Sequence, residues 1–255
     1  MQVVYATHAP HGQVNEDFVV TGPAWAVVLD GATRHPDVDT GCIHNVAWLV
    51  QHLAVALVDL LTTSPVEPLD NTLAEAIATT SRLHERTCDL SNPDSPSTTV
   101  AMARQRAGQF DYLTLADSPL LLDDDGEVRV IKDDRTAHLP DYSPAGIRAA
   151  RNSPEGFYVA STMPDAAHQA VRGSLPLDRV RRAALLTDGA ARLVERFRRL
   201  SWPDLLDLLS TRGPDELIRC TRRAEDAETE AERATRRGKR HDDATAILLT
   251  RLTDQ

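Results

Sequence analysis

The sequence predicts an α+β domain in which helices are segregated from antiparallel strands. Short Val-rich runs bounded by Gly, Pro or Asn come in blocks, and stretches with helical periodicity stand between those blocks. The order along the chain is strands, two helices, strands, helices and a final strand. No internal repeat or linker divides the 255 residues, so we expect a single domain over 1–255.

The first half of the chain begins with three Val-rich runs that predict a strand meander. They cover residues 3–6, 18–21 and 24–29. Apolar residues at helical spacing then predict a helix over 40–61. A second helix is expected over 72–89, because Thr72 and Glu75 have the form of a capping box. Four strands separated by turn residues are predicted next, over 98–106, 110–116, 119–122 and 128–132.

The second half begins with residues 133–153, a polar stretch rich in turn residues that predicts a long surface excursion. Strand-like runs then occupy 156–161 and 183–186. Two helices are predicted over 203–209 and 214–232, each with Pro at its first turn, where the missing N–H costs nothing. A closing strand is predicted over 244–249.

Composition excludes several classes of protein. Hydrophobic residues make up 42% of the chain, enough to bury a sizeable core, so wholesale disorder is excluded. The net charge of −10 repels phosphate backbones, which argues against a nucleic-acid partner. The most apolar stretch, 46–61, is interrupted by Gln51, His52 and Asp59, and we expect it to be too short and too polar to span a membrane.

The cysteines and the amino terminus predict a cytoplasmic protein. Cys42, Cys88 and Cys220 lie far apart without metal-ligand spacing, which argues against a zinc ribbon or a disulfide scaffold. Cys42 is interpreted as a small buried residue, and His44 and His52 as residues at the edge of the core rather than ligands. The first residues lack the basic start and apolar run of a signal peptide.

Acidic residues stand beside or at the end of apolar strands at five places: Glu16-Asp17, Asp30, Asp117, Asp188 and Asp242-Asp243. Any one of them could be an ordinary turn residue. Taken together, carboxylates that converge at strand ends repel one another and require a cation. Oxygen ligands without a His or Cys cluster favour Mg²⁺ or Mn²⁺ over Zn²⁺. Several carboxylates suffice for two ions about 3.5–4 Å apart, which can activate a water toward phosphorus.

The same positions form six short motifs in a fixed order along nearly the whole chain. They are Asn15-Glu16-Asp17, Asp30-Gly31, Ser97-Thr98-Thr99, Ala116-Asp117-Ser118, Thr187-Asp188-Gly189 and Asp242-Asp243-Ala244-Thr245. This order resembles the metal-dependent type 2C protein phosphatases. The resemblance implies a four-layer αββα sandwich, in which two antiparallel sheets are flanked by helix pairs. It also implies two Mn²⁺ or Mg²⁺ ions in a cleft at one end of the sheets.

The resemblance assigns a role to each matching carboxylate. Asp30 would bridge both metal ions, and Glu16 and the carbonyl of Gly31 would bind one of them. Asp188 and Asp242 would hold the other ion.

Two further aspartates have their own implied roles. Asp117 matches a position that helps to hold a weaker third metal ion in this family. Asp17 is expected to orient the attacking water, so Asp17 and Asp30 are the predicted catalytic residues.

The positions that would bind the substrate phosphate depart from the family pattern. Gly12 stands where the family usually has the arginine that grips the phosphate, and Pro119 replaces an arginine that usually follows Asp-Ser. Local cations could substitute: His8 and His11, Arg34 and His35, or Lys239 and Arg240 within the basic run 236–241. We predict the last two pairs as the phosphate-binding residues, although a basic run of this kind can also be a solvated helix end.

Two classes of function are compatible with this pattern. The first is a Mn/Mg-dependent phosphatase whose partner is a phosphorylated protein, through phosphoserine or phosphothreonine, or a small phosphate ester. The second is a phosphatase-like regulatory binding module with weak or no turnover. Intact carboxylate positions favour the enzyme, and Gly12 favours the binding module or a changed substrate.

Overall fold

The structure is a computed structural model that describes residues 1–32, 37–236 and 238–252. Within these ranges the strands, in chain order, are β1 (Gln2–His8), β2 (Asp17–Thr21), β3 (Trp25–Gly31), β4 (Thr98–Arg106), β5 (Gln109–Leu115), β6 (Leu120–Asp124), β7 (Glu127–Ile131), β8 (Val171–Pro176), β9 (Val180–Leu186) and β10 (Ala244–Thr250). They form two five-stranded sheets. Sheet 1 has the order β1-β10-β9-β6-β7, and sheet 2 has the order β2-β3-β4-β5-β8.

The described residues also form seven α-helices. They are α1 (Val46–Thr63), α2 (Leu69–Arg82), α3 (Pro144–Ala150), α4 (Asp188–Glu195), α5 (Trp202–Arg212), α6 (Pro214–Asp226) and α7 (Glu230–Ala234). Helices α1 and α2 share a core with sheet 2, and α4, α5 and α6 share a core with sheet 1.

A third core joins the two sheets face to face. Its buried side chains come from both sheets: Val28 and Phe110 are examples from sheet 2, and Leu185 and Ile247 are examples from sheet 1. Every strand pair is antiparallel. The predicted α+β class and the αββα layering are therefore confirmed.

Helix α1, which packs on sheet 2, is the longest helix of the described residues. It has 18 residues and a mean hydropathy of 1.6, so by length and composition it could cross a membrane, contrary to the expectation from the sequence. Its inward residues, including Val50, Leu53 and Leu57, are fully buried against the sheet. A helix that buries one face in the core in this way is expected to have a high mean hydropathy.

Both predicted helix starts in the first half were misplaced. Helix α1 begins at Val46 rather than near residue 40, because the Asn45 side chain accepts a hydrogen bond from the amide of Trp48 and caps the helix. Helix α2 begins at Leu69, directly after Pro68. The Thr72 hydroxyl donates to the Pro68 carbonyl inside the first turn, so the predicted capping box is wrong.

Strand β8 and helices α3 and α4 were missed, and one strand was wrongly assigned. Strand β8 lies at the edge of sheet 2 and is largely exposed, so it has no apolar run to reveal it. Helix α4 begins at Asp188, in a motif interpreted only as a strand end. Residues 156–161 form no continuous strand and contribute only single bridges, such as Thr98 to Ala160.

The excursion after β7 covers one side of the sheet ends. It contains a 3-10 turn (Arg135–His138) and helix α3, whose first turn is capped by the Ser143 hydroxyl. Leu139 and Phe157 pack together in a small separate core. The segment therefore forms an ordered wall beside the end of the sheets where the predicted site residues lie.

Candidate active site

The predicted carboxylates of sheet 2 meet because neighbouring antiparallel strands start and end at the same edge. Asp17, at the start of β2, pairs in register with Asp30, near the end of β3. Asp30 also pairs with Thr99 on β4. Directly paired residues direct their side chains to the same face of a sheet. The register therefore places Asp17 and Asp30 side by side.

Sheet 1 contributes from the junction between β9 and α4. The backbone amide of Asp188 donates to Asp30 Oδ2 over 3.2 Å, and the Thr187 hydroxyl donates to Asp17 Oδ2 over 2.9 Å. A Cβ on Gly189 would stand 1.8 Å from the carbonyl oxygen of Asp243, so only glycine allows this approach. These contacts join the two sheets at the site.

The loop before β2 is fastened to sheet 1 from the other side. The amide of Glu16 donates to Asp243 Oδ2 over 3.0 Å, and the Asn15 side chain donates to the Thr7 hydroxyl over 2.8 Å. Gly31 packs beneath this loop. Its amide donates to the Glu16 carbonyl over 3.2 Å, and a Cβ there would stand 2.5 Å from that oxygen.

Asp117 approaches the site from the end of β5. Ala116 has a φ of 64°, which turns the chain sharply after the strand. The Ala116 amide donates to Asp133 Oδ2 over 3.3 Å, which supports the turn, and the Thr136 hydroxyl donates to Asp117 Oδ2 over 3.1 Å. Thus Asp117 is held by the wall segment after β7.

We call the resulting group the acidic centre: Glu16, Asp17, Asp30, Asp117, Asp188 and Asp242. Burial raises the pKa of Asp30 well above its usual value, and repulsion from its acidic neighbours raises it further. Burial and the charges of Asp242 and Asp117 raise the pKa of Asp188 to about 7. Burial also raises the pKa of Asp17. The centre holds more negative charge than its surroundings offset.

Among the described residues, basic side chains pair with Asp242 at one edge of the acidic centre. Arg192 Nη2 lies 2.7 Å from Asp242 Oδ2, and Lys239 Nζ lies 3.0 Å from Asp242 Oδ1. Arg192 is buried and also pairs with Glu225 at 2.6 Å. Within residues 1–32, 37–236 and 238–252, neither Asp30 nor Asp188 forms an ion pair with a basic side chain.

Two cavities open beside the acidic centre. The larger, which we call the main cavity, has a volume of about 990 Å³ and is lined by Glu16, Asp117, Lys239 and Arg151 among others. The smaller, about 510 Å³, has Asp188 and Asp242 on one side. Glu195, Phe197 and Gly238 also line it, together with four arginines: Arg192, Arg196, Arg198 and Arg236.

The predicted phosphate-binding residues have different placements. Lys239 lines the main cavity, whereas Arg240 is exposed and pairs with Glu230. Arg34 and His35 lie outside the described residues. The role of all four residues stays a prediction.

Gly12 stands where the family usually has an arginine, and its backbone conformation favours glycine. The amide of Gln13 donates to the Pro10 carbonyl, and Gly12 has a φ of 75° inside this turn. A side chain at Gly12 would meet no described atom but would be strained in that conformation. His8, one of the alternative cations, pairs with Asp215 instead.

Sequence reasoning missed Arg151 and Arg192 as residues of the site. Arg192 follows Asp188 by four residues, a spacing that would place both on one helix face, but helix α4 itself was not predicted. Arg151 reaches the cavity from the end of α3, and its guanidinium donates to the carbonyls of Pro93 and Ser95. No local pattern in the sequence indicated that contact.

A layered αββα domain with clustered carboxylates where its two sheets meet defines the class of the protein as phosphatase-like. The sequence profile of the Protein phosphatase 2C family matches residues 6–221, and the chain belongs to this family. No curated protein sequence matches the chain.

Solved structures share the fold at low sequence identity. The manganese complex of the catalytic domain of the serine/threonine protein phosphatase PstP is 19% identical, with a TM-score of 0.56, and the match covers 97% of this chain and 98% of PstP. The serine/threonine phosphatase Stp1 from Staphylococcus aureus is 15% identical, with a TM-score of 0.61, and the match covers 97% of this chain and 93% of Stp1. PppA from Pseudomonas aeruginosa is 18% identical, with a TM-score of 0.55, and the match covers 98% of this chain and 96% of PppA. These similarities establish the fold over the whole chain.

Proposed function

We propose that this chain is a Mn²⁺- or Mg²⁺-dependent phosphatase that hydrolyses phosphoserine and phosphothreonine in proteins, or another phosphate monoester. One observation carries the proposal. Carboxylates from both sheets converge so closely that burial and mutual repulsion raise the pKa of Asp30 and Asp188. Such a centre is unfavourable without a cation, and a bound divalent cation can activate a water for attack on phosphorus.

The residues of the acidic centre fit a hard divalent ion. All the side-chain donors are carboxylate oxygens, the ligands that Mg²⁺ and Mn²⁺ prefer. Asp30 lies between Asp17 in its own sheet and the amide of Asp188 in the other sheet, so its carboxylate is held in a fixed position.

The ligand assignments follow the family pattern. Asp30 would bind two ions, with Glu16 and the Gly31 carbonyl on one side and Asp188 and Asp242 on the other. Bound ions supply Lewis-acid activation of a water and neutralise part of the phosphate charge. Asp117, held by Thr136, would contribute to a third, weaker site.

Asp17 would accept a proton of the attacking water and orient that water, the role that the family pattern implies. Its carboxylate is buried, and the Thr187 hydroxyl fixes one of its oxygens. Burial raises its pKa, which makes it a stronger proton acceptor than an exposed aspartate. The Thr187 contact also fixes the direction in which the free oxygen points.

Lys239 and Arg151 would replace the missing arginine on the phosphate side. Both line the main cavity together with Glu16 and Asp117. Burial lowers the pKa of Lys239, but the attraction of Asp242 and other carboxylates outweighs it and raises the pKa overall, so the amine stays charged. A charged amine beside the acidic centre would attract the phosphate dianion.

The other parts of the proposal concern the substrate and the cell. Serine/threonine specificity rests on family membership, since PstP and Stp1 are named as serine/threonine phosphatases. The cytoplasmic location stays a prediction from the sequence.

A second function, a regulatory module that binds phosphoproteins without turnover, is favoured by one observation. Gly12 stands where the family usually has an arginine. Its positive φ would also strain an arginine side chain placed at this position. Loss of the phosphate grip would leave a folded centre with weak catalysis.

The deciding experiment is phosphate release from an aryl phosphate and from phosphoserine and phosphothreonine peptides, with Mn²⁺, with Mg²⁺ and with neither. The enzyme proposal expects turnover that depends on added metal and is restored by Mn²⁺ after chelation. Binding of the phosphopeptide without any release would favour the regulatory module. Turnover that persists in the thoroughly chelated protein would contradict the proposed metal dependence.

A further inference from the structure

A second group of potential metal ligands lies on the wall of the main cavity, away from the acidic centre. We call it the Cys/His cluster: Cys42, His44, His84 and Cys88. One ligand atom from each of the four side chains lies within 4.8 Å of the other three. All four residues are half-buried or buried, and His84 is only 3% exposed. The proposal below does not depend on the phosphatase activity.

The distances within the Cys/His cluster match tetrahedral coordination by two sulfur and two nitrogen atoms. Sulfur-to-nitrogen distances are 3.6 Å from Cys42 to His44, 3.5 Å from Cys42 to His84 and 3.4 Å from Cys88 to His44. Zinc bonds of about 2.3 Å to sulfur and about 2.0–2.1 Å to nitrogen, at tetrahedral angles, give about 3.5 Å for such pairs. The two sulfur atoms are 3.0 Å apart and would separate to about 3.8 Å on binding.

Local backbone structure brings the ligands together in pairs. Cys42 and His44 are separated by one residue in the segment before α1. His84 and Cys88 are four residues apart after α2, and the Cys88 amide donates to the His84 carbonyl, which completes one helical turn between them. The sequence argument judged the cysteines by their own spacing and interpreted His44 as a core-edge residue, and so it missed these two pairs.

The surroundings hold both histidine rings. The His44 ring stacks on Trp48 at 4.0 Å between centroids, and His84 meets Trp48 edge-on at 5.1 Å. The two ligand-bearing segments are also joined by the backbone, because the Asp89 amide donates to the Gly41 carbonyl over 2.8 Å. The cluster is therefore organised by packing before any ion binds, which lowers the cost of binding.

We propose that Cys42, His44, His84 and Cys88 form a structural zinc site that fastens the segment before α1 to the turn after α2. Two thiolates and two imidazoles are a soft donor set that selects Zn²⁺ over the Mg²⁺ or Mn²⁺ of the acidic centre. Binding releases the two thiol protons to solvent, with no change in oxidation state. Because Cys42 and His44 line the main cavity, the bound ion would fix one wall of that cavity.

Cobalt substitution tests the site directly. After removal of bound metal under reducing conditions, Co²⁺ is titrated into the whole protein while its absorption is recorded. Tetrahedral cobalt with thiolate ligands gives strong visible bands and a near-ultraviolet thiolate charge-transfer band, which carboxylates cannot produce. We expect both features in the wild type and their displacement by Zn²⁺.

Matched variants locate the signal. Cys88→Ser is expected to abolish the charge-transfer band, whereas Cys220→Ser, which changes the remaining cysteine, retains it. Asp30→Asn also retains it, which separates this site from the acidic centre. Zinc content of the protein as purified is expected to be about one ion per chain in the wild type and in Cys220→Ser, and to fall to near zero in Cys88→Ser.

Two results would overturn the zinc site. One is a wild-type cobalt spectrum without thiolate bands in the fully reduced protein, which needs no variant and so does not depend on whether Cys88→Ser folds. The other is a Cys42–Cys88 disulfide in the protein as purified, found by mass spectrometry of unreduced peptides, together with no zinc binding after reduction.

Discussion

The acidic centre and the Cys/His cluster lie beside one cavity, yet they are built in opposite ways. The acidic centre takes its side chains from strand ends of two sheets. The hydrogen bond from the Glu16 amide to Asp243, beside the centre, joins residues that lie 227 positions apart in the sequence. The Cys/His cluster takes two short pairs from the segments flanking helices α1 and α2. One is fixed by sheet register and the other by local turns.

Their chemistry differs as much as their construction. The acidic centre offers hard oxygen ligands under mutual repulsion, so a bound ion relieves an existing electrostatic cost. The Cys/His cluster offers soft ligands that are packed against Trp48. We therefore expect the two regions to respond independently to ligand loss, to metal exchange and to pH.

The largest expected effect is on catalysis when the acidic centre loses Asp30. Asp30→Asn should lower kcat/KM for an aryl phosphate by more than about 100-fold, because even residues that only support metal ligands cost about 10–100-fold. Asp134→Asn is the matched control, since Asp134 is exposed and pairs only with His138 among the described residues. Initial rates at saturating Mn²⁺ measure both variants, and near wild-type activity of Asp30→Asn would remove Asp30 from the mechanism.

A smaller effect is expected on the phosphate side of the acidic centre. Lys239→Ala should raise KM for an aryl phosphate by about 10- to 100-fold, because a hydrogen bond to a charged group contributes about 1.5–3 kcal/mol. Arg240→Ala is the control, since its side chain pairs with exposed Glu230. Steady-state kinetics over a range of Mn²⁺ concentrations separates the effect on substrate from any effect on metal. A KM of Lys239→Ala equal to that of the wild type would exclude Lys239 as a phosphate ligand.

The next effect concerns stability and its dependence on pH. Asp188 has its pKa raised from 3.8 to about 7, so the folded state without divalent metal binds a proton that the unfolded state releases. The melting temperature without added Mn²⁺ should therefore fall as pH rises from about 4 to about 7. Mn²⁺ should recover several degrees at pH 8, because saturation at 100 times Kd adds about 2.7 kcal/mol.

Thermal unfolding across this pH range checks the prediction, with Asp188→Asn as the variant that should flatten the slope. A melting temperature that rises steadily from pH 4 to pH 7 in the metal-free wild type would show that other groups dominate.

The smallest expected effect is a change in stability alone, at a helix start outside both regions. The Ser201 hydroxyl and the Asp204 carboxylate form a capping box at the start of α5. Ser201→Ala should cost about 1 kcal/mol, or about 2–4 °C in melting temperature, with kcat/KM unchanged. A change in activity with this variant would mean that helix α5 is coupled to the acidic centre.

Much of this protein follows from its sequence because local rules decide it. Val-rich runs between turn residues indicated most strands, and Asp30-Gly31 and Thr187-Asp188-Gly189 marked the strand ends that the structure brings together. Strand β8 was missed because an exposed edge strand has no apolar face, and helix α4 was missed because its start at Asp188-Gly189 resembles a turn.

Tertiary structure alone decided which side chains share a space. Sheet register set Asp17 against Asp30, and the meeting of two sheets placed the amide of Asp188 on Asp30. Packing against Trp48 and the contact from Asp89 to Gly41 assembled the Cys/His cluster from pairs that lie 40 residues apart in the sequence. Local sequence fixes backbone conformation over a few residues, whereas proximity between distant residues depends on how the whole core packs.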